Sequence, residues 1–402
     1  MNNYQYPQKS PLFQPILLME IFVVFSILLG IMEIPDITII KLIRYGVMIS
    51  ASFMVLRIIK RNHHIHPNLI QDIFYLWLVA IFIRSIPDIL DPYNGYIALK
   101  QFLSIFLFMY TIPLFMIAKI DTNFLRKLIC LSYILAIIYL LTAIPHYLMT
   151  NSPEPYMVLC EGVILLLMTL PYHKNNKNVV IIVSVTIAII LAMLAARRNK
   201  VVFFGGGLFL AVFSILTSRS KRSQKYKWIL VLVLFLLFSA ILIFSSSFSF
   251  FFERVGTGMD SRESIIDLFF DDFNRNPSDW IWGRGIIGQF YGGVLNTDET
   301  KELRDGIENG YLYLILKGGW MWLGLLIIIS LSAIYKGFFK SKNLLCKGFA
   351  MIILLYYFDM IGFGIPSNTL KYMMVFISIA GCNTKWLRQC SDEQLSQKIG
   401  LK

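Results

Sequence analysis

The sequence predicts an all-α, polytopic membrane protein of about twelve transmembrane helices. Three observations carry this. Of 402 residues, 57% are hydrophobic and only 15% charged, and the mean hydropathy of +0.65 is far from that of a water-soluble domain. Apolar runs long enough to cross about 30 Å of hydrocarbon as helix recur along nearly the whole chain. Runs such as 228–244 are apolar on every face, whereas a membrane-spanning strand alternates apolar and polar positions over about ten residues.

The spans are expected at 13–32, 37–59, 70–87, 97–118, 124–148, 156–171, 178–196, 201–217, 228–248, 307–334, 344–363 and 367–384. They form a single integral membrane domain over 1–402, with one large extracytoplasmic loop, 249–306, between the ninth and tenth. The first run lacks a preceding charged region and a small-residue cleavage site, and so reads as a retained anchor. With the N-terminus inside, alternate connections receive Arg57, Lys60 and Arg61, then Lys119, Arg126 and Lys127, then Lys174 and Lys177. The run from Arg219 to Lys227 follows, then Lys336 to Lys347, then Lys385 and Arg388. Lys and Arg gather in cytoplasmic connections, so both termini are expected inside.

The formal charge of +13 is dispersed between apolar runs and forms no contiguous basic domain, which argues against nucleic acid as a partner and for the bilayer. The five cysteines show no metal-ligand spacing and imply no disulfide framework. His63, His64 and His66 are dense enough to suggest a metal site, but beside Arg61 and Pro67 they read as a solvated cytoplasmic turn. No metal and no cofactor are expected.

One short outer connection breaks the charge pattern. Arg197-Arg198-Asn199-Lys200 places three cations where cations are normally sparse. Either one helix is miscounted, or something anionic compensates. A planar guanidinium fork suits phosphate oxygens, and basic groups at headgroup level also attract anionic lipid. In the large loop, Asp260-Ser261-Arg262-Glu263 resembles a capping box, and Ile265, Leu268, Phe269 and Phe273 then share one face of an expected amphipathic helix. Trp280 and Trp282 extend this interfacial reading. Gly283-Arg284-Gly285-Ile286-Ile287-Gly288 matches a dinucleotide fingerprint literally, but no strand-turn-helix context surrounds it, so it reads as a glycine-rich turn close to a headgroup or a sugar.

Ionisable residues inside apolar runs need a partner or a wet cavity. Arg44, Glu161, Lys317 and Asp359 lie about 8 to 11 Å below the expected outer ends at ~1.5 Å per residue, compatible with one polar pocket opening outward. A structural ion pair between Lys317 and Asp359 is the competing explanation. At the start of the tenth span, Glu308 stands three residues after Asp305. It is either the acid of a capping box or a carboxylate placed to accept a proton from a sugar hydroxyl.

Over roughly residues 185–330 the chain resembles the O-antigen ligase and O-antigen polymerase family. The family's basic turn after an apolar helix looks like Leu194 to Lys200, followed by Gly205, Gly206 and Gly207. Its loop arginine, proline and Gly-x-Gly segment look like Arg262, Pro277 and Gly283-Arg284-Gly285. Its His-Asn-x-Tyr-Leu segment looks like Glu308-Asn309-Gly310-Tyr311-Leu312, followed by Gly318 and Gly319. Glutamate at position 308 departs from the ligase histidine and favours a polymerase. The resemblance implies a glycosyltransferase of class C type in the bacterial cytoplasmic (inner) membrane. Its donor and acceptor would be undecaprenyl-diphosphate-linked glycans, its reaction metal-independent, and its pathway partners a flippase and a chain-length regulator. By the same resemblance Glu308, Arg262 and Arg197 would be catalytic, and Arg197, Arg198, Lys200, Arg254 and Arg284 would bind the diphosphate. An O-antigen-type ligase and a flippase or transporter of lipid-linked oligosaccharide are the rival functions. Related halves with broken helices would mark a carrier, whereas the asymmetric outer loop favours the enzyme.

Overall fold

A computed structural model describes residues 11–31, 38–61, 69–93, 95–103, 107–118, 120–150, 154–173, 175–195, 197–216, 231, 261–293, 303–362 and 369–399. Apolar segments in lipid must satisfy their backbone internally, and the described chain is accordingly helical throughout its apolar runs. The first eleven helices are α1 (Phe13–Ile31), α2 (Thr38–Arg61), α3 (Leu69–Arg84), α4 (Ile86–Leu90), α5 (Gly95–Gln101), α6 (Leu107–Thr111), α7 (Thr122–Thr150), α8 (Glu154–Cys160), α9 (Val163–Met168), α10 (Asn175–Leu194) and α11 (Arg198–Leu216). The loop segment carries α12 (Ser261–Asn274), α13 (Ser278–Trp282), and the paired strands β1 (Phe290–Tyr291) and β2 (Leu303–Arg304), antiparallel with Phe290 opposite Arg304. The chain closes with α14 (Gly310–Phe339), α15 (Leu344–Gly362), α16 (Leu370–Asn383), α17 (Lys385–Gln389) and α18 (Asp392–Ile399).

Among the described residues, five helices are long and apolar enough to cross a membrane: Leu69–Leu90, Thr122–Met149, Asn176–Leu194, Gly310–Phe339 and Leu344–Gly362. Shorter apolar helices stand at Phe13–Ile27, Tyr45–Ile58, Tyr156–Met168, Asn199–Phe213 and Leu370–Asn383. The expected run 97–118 is not one helix: a 3-10 segment at Ile112–Ile117, with Pro113 in its first turn, replaces its second half. Proline lacks the N–H that a continuing α-helix would use. The expected run 156–171 is likewise broken, at Glu161–Gly162 between α8 and α9. The expected run 228–248 and the histidine cluster at 63–66 lie outside the described residues.

Side chains close the helix starts. Asp121 accepts from the Phe124 amide at 2.6 Å ahead of α7, and Asn343 accepts from Cys346 N at 2.9 Å at the start of α15. α15 packs against α14, α11 and α16 at the centre, with Phe349, Ile353 and Tyr356 fully enclosed. The outward faces stay apolar: Leu76 is 68% and Leu141 70% exposed, within a belt that also holds Ile328, Leu331 and Phe358. Such a belt needs lipid or protein against it.

Cross-chain contacts gather at two ends of the bundle. At one end Arg84 donates to the Trp282 and Gly283 carbonyls, Gln101 to Asp305, and Asn309 to the Ile361 carbonyl. At the other end Trp386 donates to the Ile120 carbonyl, Tyr172 to Asp392, Asn343 to the Leu387 and Cys390 carbonyls, and Lys336 to Asn383.

Candidate functional site

The basic turn is built by the mismatch between α10 and α11. α10 ends at Leu194, the Arg197 amide reaches back to the Ala192 carbonyl at 2.8 Å, and α11 restarts with Lys200 N donating to Arg197 O at 3.0 Å. Arg197 is exposed. The side chain of Arg198, at the first position of α11, lies outside the described residues, as do the Arg44 and Arg262 side chains and all of Arg254. Lys200 turns inward, and its amine lies 2.9 Å from Glu161 Oε1.

Glu161 occupies the break between α8 and α9. Gly162 makes that break fit, because a Cβ there would stand 2.8 Å from Leu370 Cδ2 and 3.0 Å from Ser132 Oγ. Behind Glu161, Lys371 of α16 lies 3.9 Å from the same Oε1 and 2.6 Å from Asp359 Oδ2, with its amine 5.2 Å from the Phe203 ring centre. Asp359 is therefore paired with Lys371, and the competing explanation, an ion pair between Lys317 and Asp359, is not what forms. Asp359 lies in the last turn of α15 and Lys371 in the first turn of α16, so the pair closes the junction between these two packed helices. Glu20 of α1 is 1% exposed and both of its carboxyl oxygens are buried without a hydrogen bond.

Lys317 belongs to a second arrangement. α14 is interrupted at Gly319, whose φ of 70° breaks the helix. The carbonyls that the break leaves open are taken by the glycine-rich turn: Arg284 N donates to Leu316 O at 2.7 Å and Gly285 N to Lys317 O at 3.2 Å, while Trp77 Nε1 donates to Gly318 O at 3.1 Å. Gly283, at φ 65°, makes the approach possible, since a Cβ there would stand 2.5 Å from Gly318 N. Lys317 is buried and donates to the Ile286 and Gly288 carbonyls at 3.0 and 2.8 Å. The Gly-x-Gly segment thus meets backbone of its own chain.

Arg284 is expected to bind diphosphate, and its guanidinium is instead gripped by two carboxylates. Nε donates to Asp279 Oδ2 at 2.7 Å, Nη1 to Asp272 and to the Gln289 carbonyl at 2.7 Å, and the group lies 4.6 Å from the Phe273 ring centre. Partial burial pulls its pKa down, and hydrogen bonds to Asp279 and Asp272 outweigh that, leaving the net shift upward. These contacts tie α12 to α13. As expected, α12 is a helix with one apolar face: Phe269 and Phe273 are buried, stacked at 4.2 Å, and packed on Trp280.

The third arrangement is the start of α14. Its N-cap is Asn309, whose Oδ1 accepts from Tyr311 N at 3.0 Å and Leu312 N at 3.1 Å. The capping-box alternative for Asp305 and Glu308 is not formed, because the helix begins at Gly310 and both residues precede its cap; Asp305 accepts from Gln101 at 2.9 Å. Glu308 precedes the cap and is exposed. Asn309 also donates to Ile361 O at 3.3 Å, at the end of α15. The next residue, Gly362, meets the basic turn: a Cβ on it would stand 3.5 Å from Asn199 Cβ. The segments that carry Glu308 and the Arg197–Lys200 turn therefore lie at one end of the bundle, with Glu161 behind Lys200, whereas Lys317 and Arg284 serve the neighbouring loop.

Sequence reasoning did not single out Lys371 or Glu20. Lys371 stands near the end of an expected span, where a lysine reads as snorkelling to the surface. Glu20 carried the same signal as Glu161, an acid inside an apolar run. Among the described residues no three His, Cys, Asp or Glu side chains gather as metal ligands. Comparison with family models, with curated proteins and with solved structures finds no significant match.

Proposed function

We propose that the chain is a membrane glycosyltransferase that polymerises polyprenyl-diphosphate-linked oligosaccharide repeat units at the outer face of a bacterial cytoplasmic membrane, with undecaprenyl diphosphate as the carrier. The observation that supports it is that Asn309, next to the exposed Glu308, bonds the end of α15, where Gly362 approaches Asn199 of the basic turn more than a hundred residues away in the sequence. In this reading the acceptor hydroxyl oxygen attacks the anomeric carbon of the donor sugar, and Glu308 takes the hydroxyl proton. The bond from that carbon to the diphosphate breaks, and the diphosphate leaves with the electron pair, its charge met by Arg197, Arg198 and Arg262. Preorganised cations facing a charge that grows in the transition state lower the barrier, and a placed carboxylate acts as general base.

Deleting the gene and examining the surface glycan tests this. Single repeat units on the lipid carrier are expected. Long chains that are never transferred would instead indicate a ligase. Activity of the purified protein is expected to survive a chelator, and loss restored by added divalent metal would contradict the metal-independent chemistry. The interrupted helix α14 favours a second reading, a flippase of the same lipid-linked substrate, because discontinuous helices often form transporter sites. Here the glycine-rich turn caps the open carbonyls, which supports the enzyme. Movement of a labelled lipid-linked glycan across proteoliposomes, with no glycan growth, would reverse that preference.

A further inference from the structure

Two lysine amines approach one carboxylate oxygen, and they are not equivalent. Glu161 Oε1 is 2.9 Å from Lys200 Nζ and 3.9 Å from Lys371 Nζ. Charges alternate from Asp359 through Lys371 and Glu161 to Lys200, leading from the buried interior to the basic turn. The Glu161 side chain is 2% exposed, so it requires a cation in contact, because an unpaired buried charge is strongly destabilising. Lys200 is 18% exposed and stands at the rim, where water or another anion can replace the carboxylate. Lys371 is anchored by Asp359 at 2.6 Å, and Lys200 has a flexible four-carbon stem. A small cavity, with room for about one water, is bordered by Glu161, Phe203, Tyr356 and Lys371 beside the path along which the Lys371 amine would close from 3.9 Å towards the 2.9 Å of a full contact.

We propose that Lys200 is an exchangeable partner of Glu161: an anion of the diphosphate class bound at the Arg197–Lys200 turn draws Lys200 away, and Lys371 takes over the carboxylate. The inference rests on reading the turn as the diphosphate site and adds how that site is regulated. Without ligand, Glu161 competes with the anion for Lys200. With ligand, Lys371 alone faces Asp359 and Glu161, so the interior carries one net negative charge, a cost that the contacts of the anion with Lys200 have to outweigh. Only ionic contacts and hydrogen bonds change.

The test is binding of inorganic diphosphate to the full chain in lipid nanodiscs, read as saturable thermal stabilisation. Glu161→Gln frees Lys200 and is expected to tighten binding roughly fivefold, the equilibrium worth of about 1 kcal/mol for a partly exposed pair. Lys200→Gln leaves Glu161 to Lys371 and is expected to weaken binding about tenfold, as loss of a charge-assisted contact does. The double variant should match Lys200→Gln alone, because Glu161 acts only through Lys200. Binding unchanged in Lys200→Gln but lost in Arg197→Gln would overturn the exchange and leave the diphosphate reading standing. Weakened binding in Lys200→Gln without a gain in Glu161→Gln would mean that Lys200 meets the anion while still paired, which also overturns the exchange. No stabilisation of the wild type or of Glu161→Gln by diphosphate would overturn the diphosphate reading itself.

Discussion

Glu308 is separated from the structural task that its position in the sequence offered it. The cap of α14 is the Asn309 side chain, and the partner expected for Glu308, Asp305, is engaged by Gln101. Two neighbouring substitutions should therefore have opposite signatures. Asn309→Ala removes the acceptor for two amides and should lower stability by about 1 kcal/mol, read as thermal unfolding in detergent. Glu308→Gln should leave stability unchanged while glycan chain formation falls by roughly 10² to 10⁴-fold at matched membrane abundance. Near-normal chain formation would remove Glu308 as the base and turn the search to His146, which lies against Tyr156 with ring centres 4.6 Å apart. Arg262→Lys keeps charge but loses the bidentate fork, so most activity should go with it. At this scale the sequence was informative about which residues matter, because a charge in an apolar run requires a partner. It was silent about the partner: Asp359 met Lys371 and not Lys317, since that choice is made by how α15 and α16 pack.

Helices were legible as elements, and their interruptions were not. Gly318 and Gly319 sit inside an apolar run whose hydropathy is the same whether the helix continues or breaks. What breaks it is a distant segment, the turn at Gly283–Gly285, that satisfies the opened carbonyls. The glycines of the literal GxGxxG pattern serve close backbone approach within the protein. Gly283→Ala combines a left-handed φ of 65° with a Cβ 2.5 Å from Gly318 N. This backbone conformation, with ψ near 180°, is essentially reserved to glycine and costs another residue about 1–3 kcal/mol, and the overlap adds to it, so unfolding temperature should drop clearly. Gly324→Ala lies in regular helix with open space around the added methyl and should be neutral or slightly stabilising. Equal effects of the two would show that the turn does not depend on its docking against the broken helix.

The two ends of the bundle tie the separate arrangements into one molecule. Among the segments that the order of the spans assigns to the outside, Arg84 meets Gly283, Asn309 meets the end of α15, and Gly362 approaches Asn199. Segments assigned to the inside, at Ile120, Tyr172, Asn343 and Leu387, meet at the opposite end. Alternation of the spans from an inside N-terminus supplied that grouping, and the placement of cations agrees with it except at the Arg197–Lys200 turn. The depth of each helix and its neighbours depend on side-chain fit and had no such signal. Cysteine accessibility in a cysteine-free background, needed because Cys130 is itself exposed, tests the grouping and the sidedness together. Single cysteines at Ser278 and Asn199 should react in intact cells with an impermeant reagent, and one at exposed Gln394, on the helix latched to the opposite end, only after lysis. The reverse labelling of all three would keep the bundle and invert it, leaving a diphosphate-linked donor on the outer leaflet out of reach of the basic turn. Labelling of Ser278 and Asn199 from opposite sides would contradict the contact between Gly362 and Asn199 and with it the shared site.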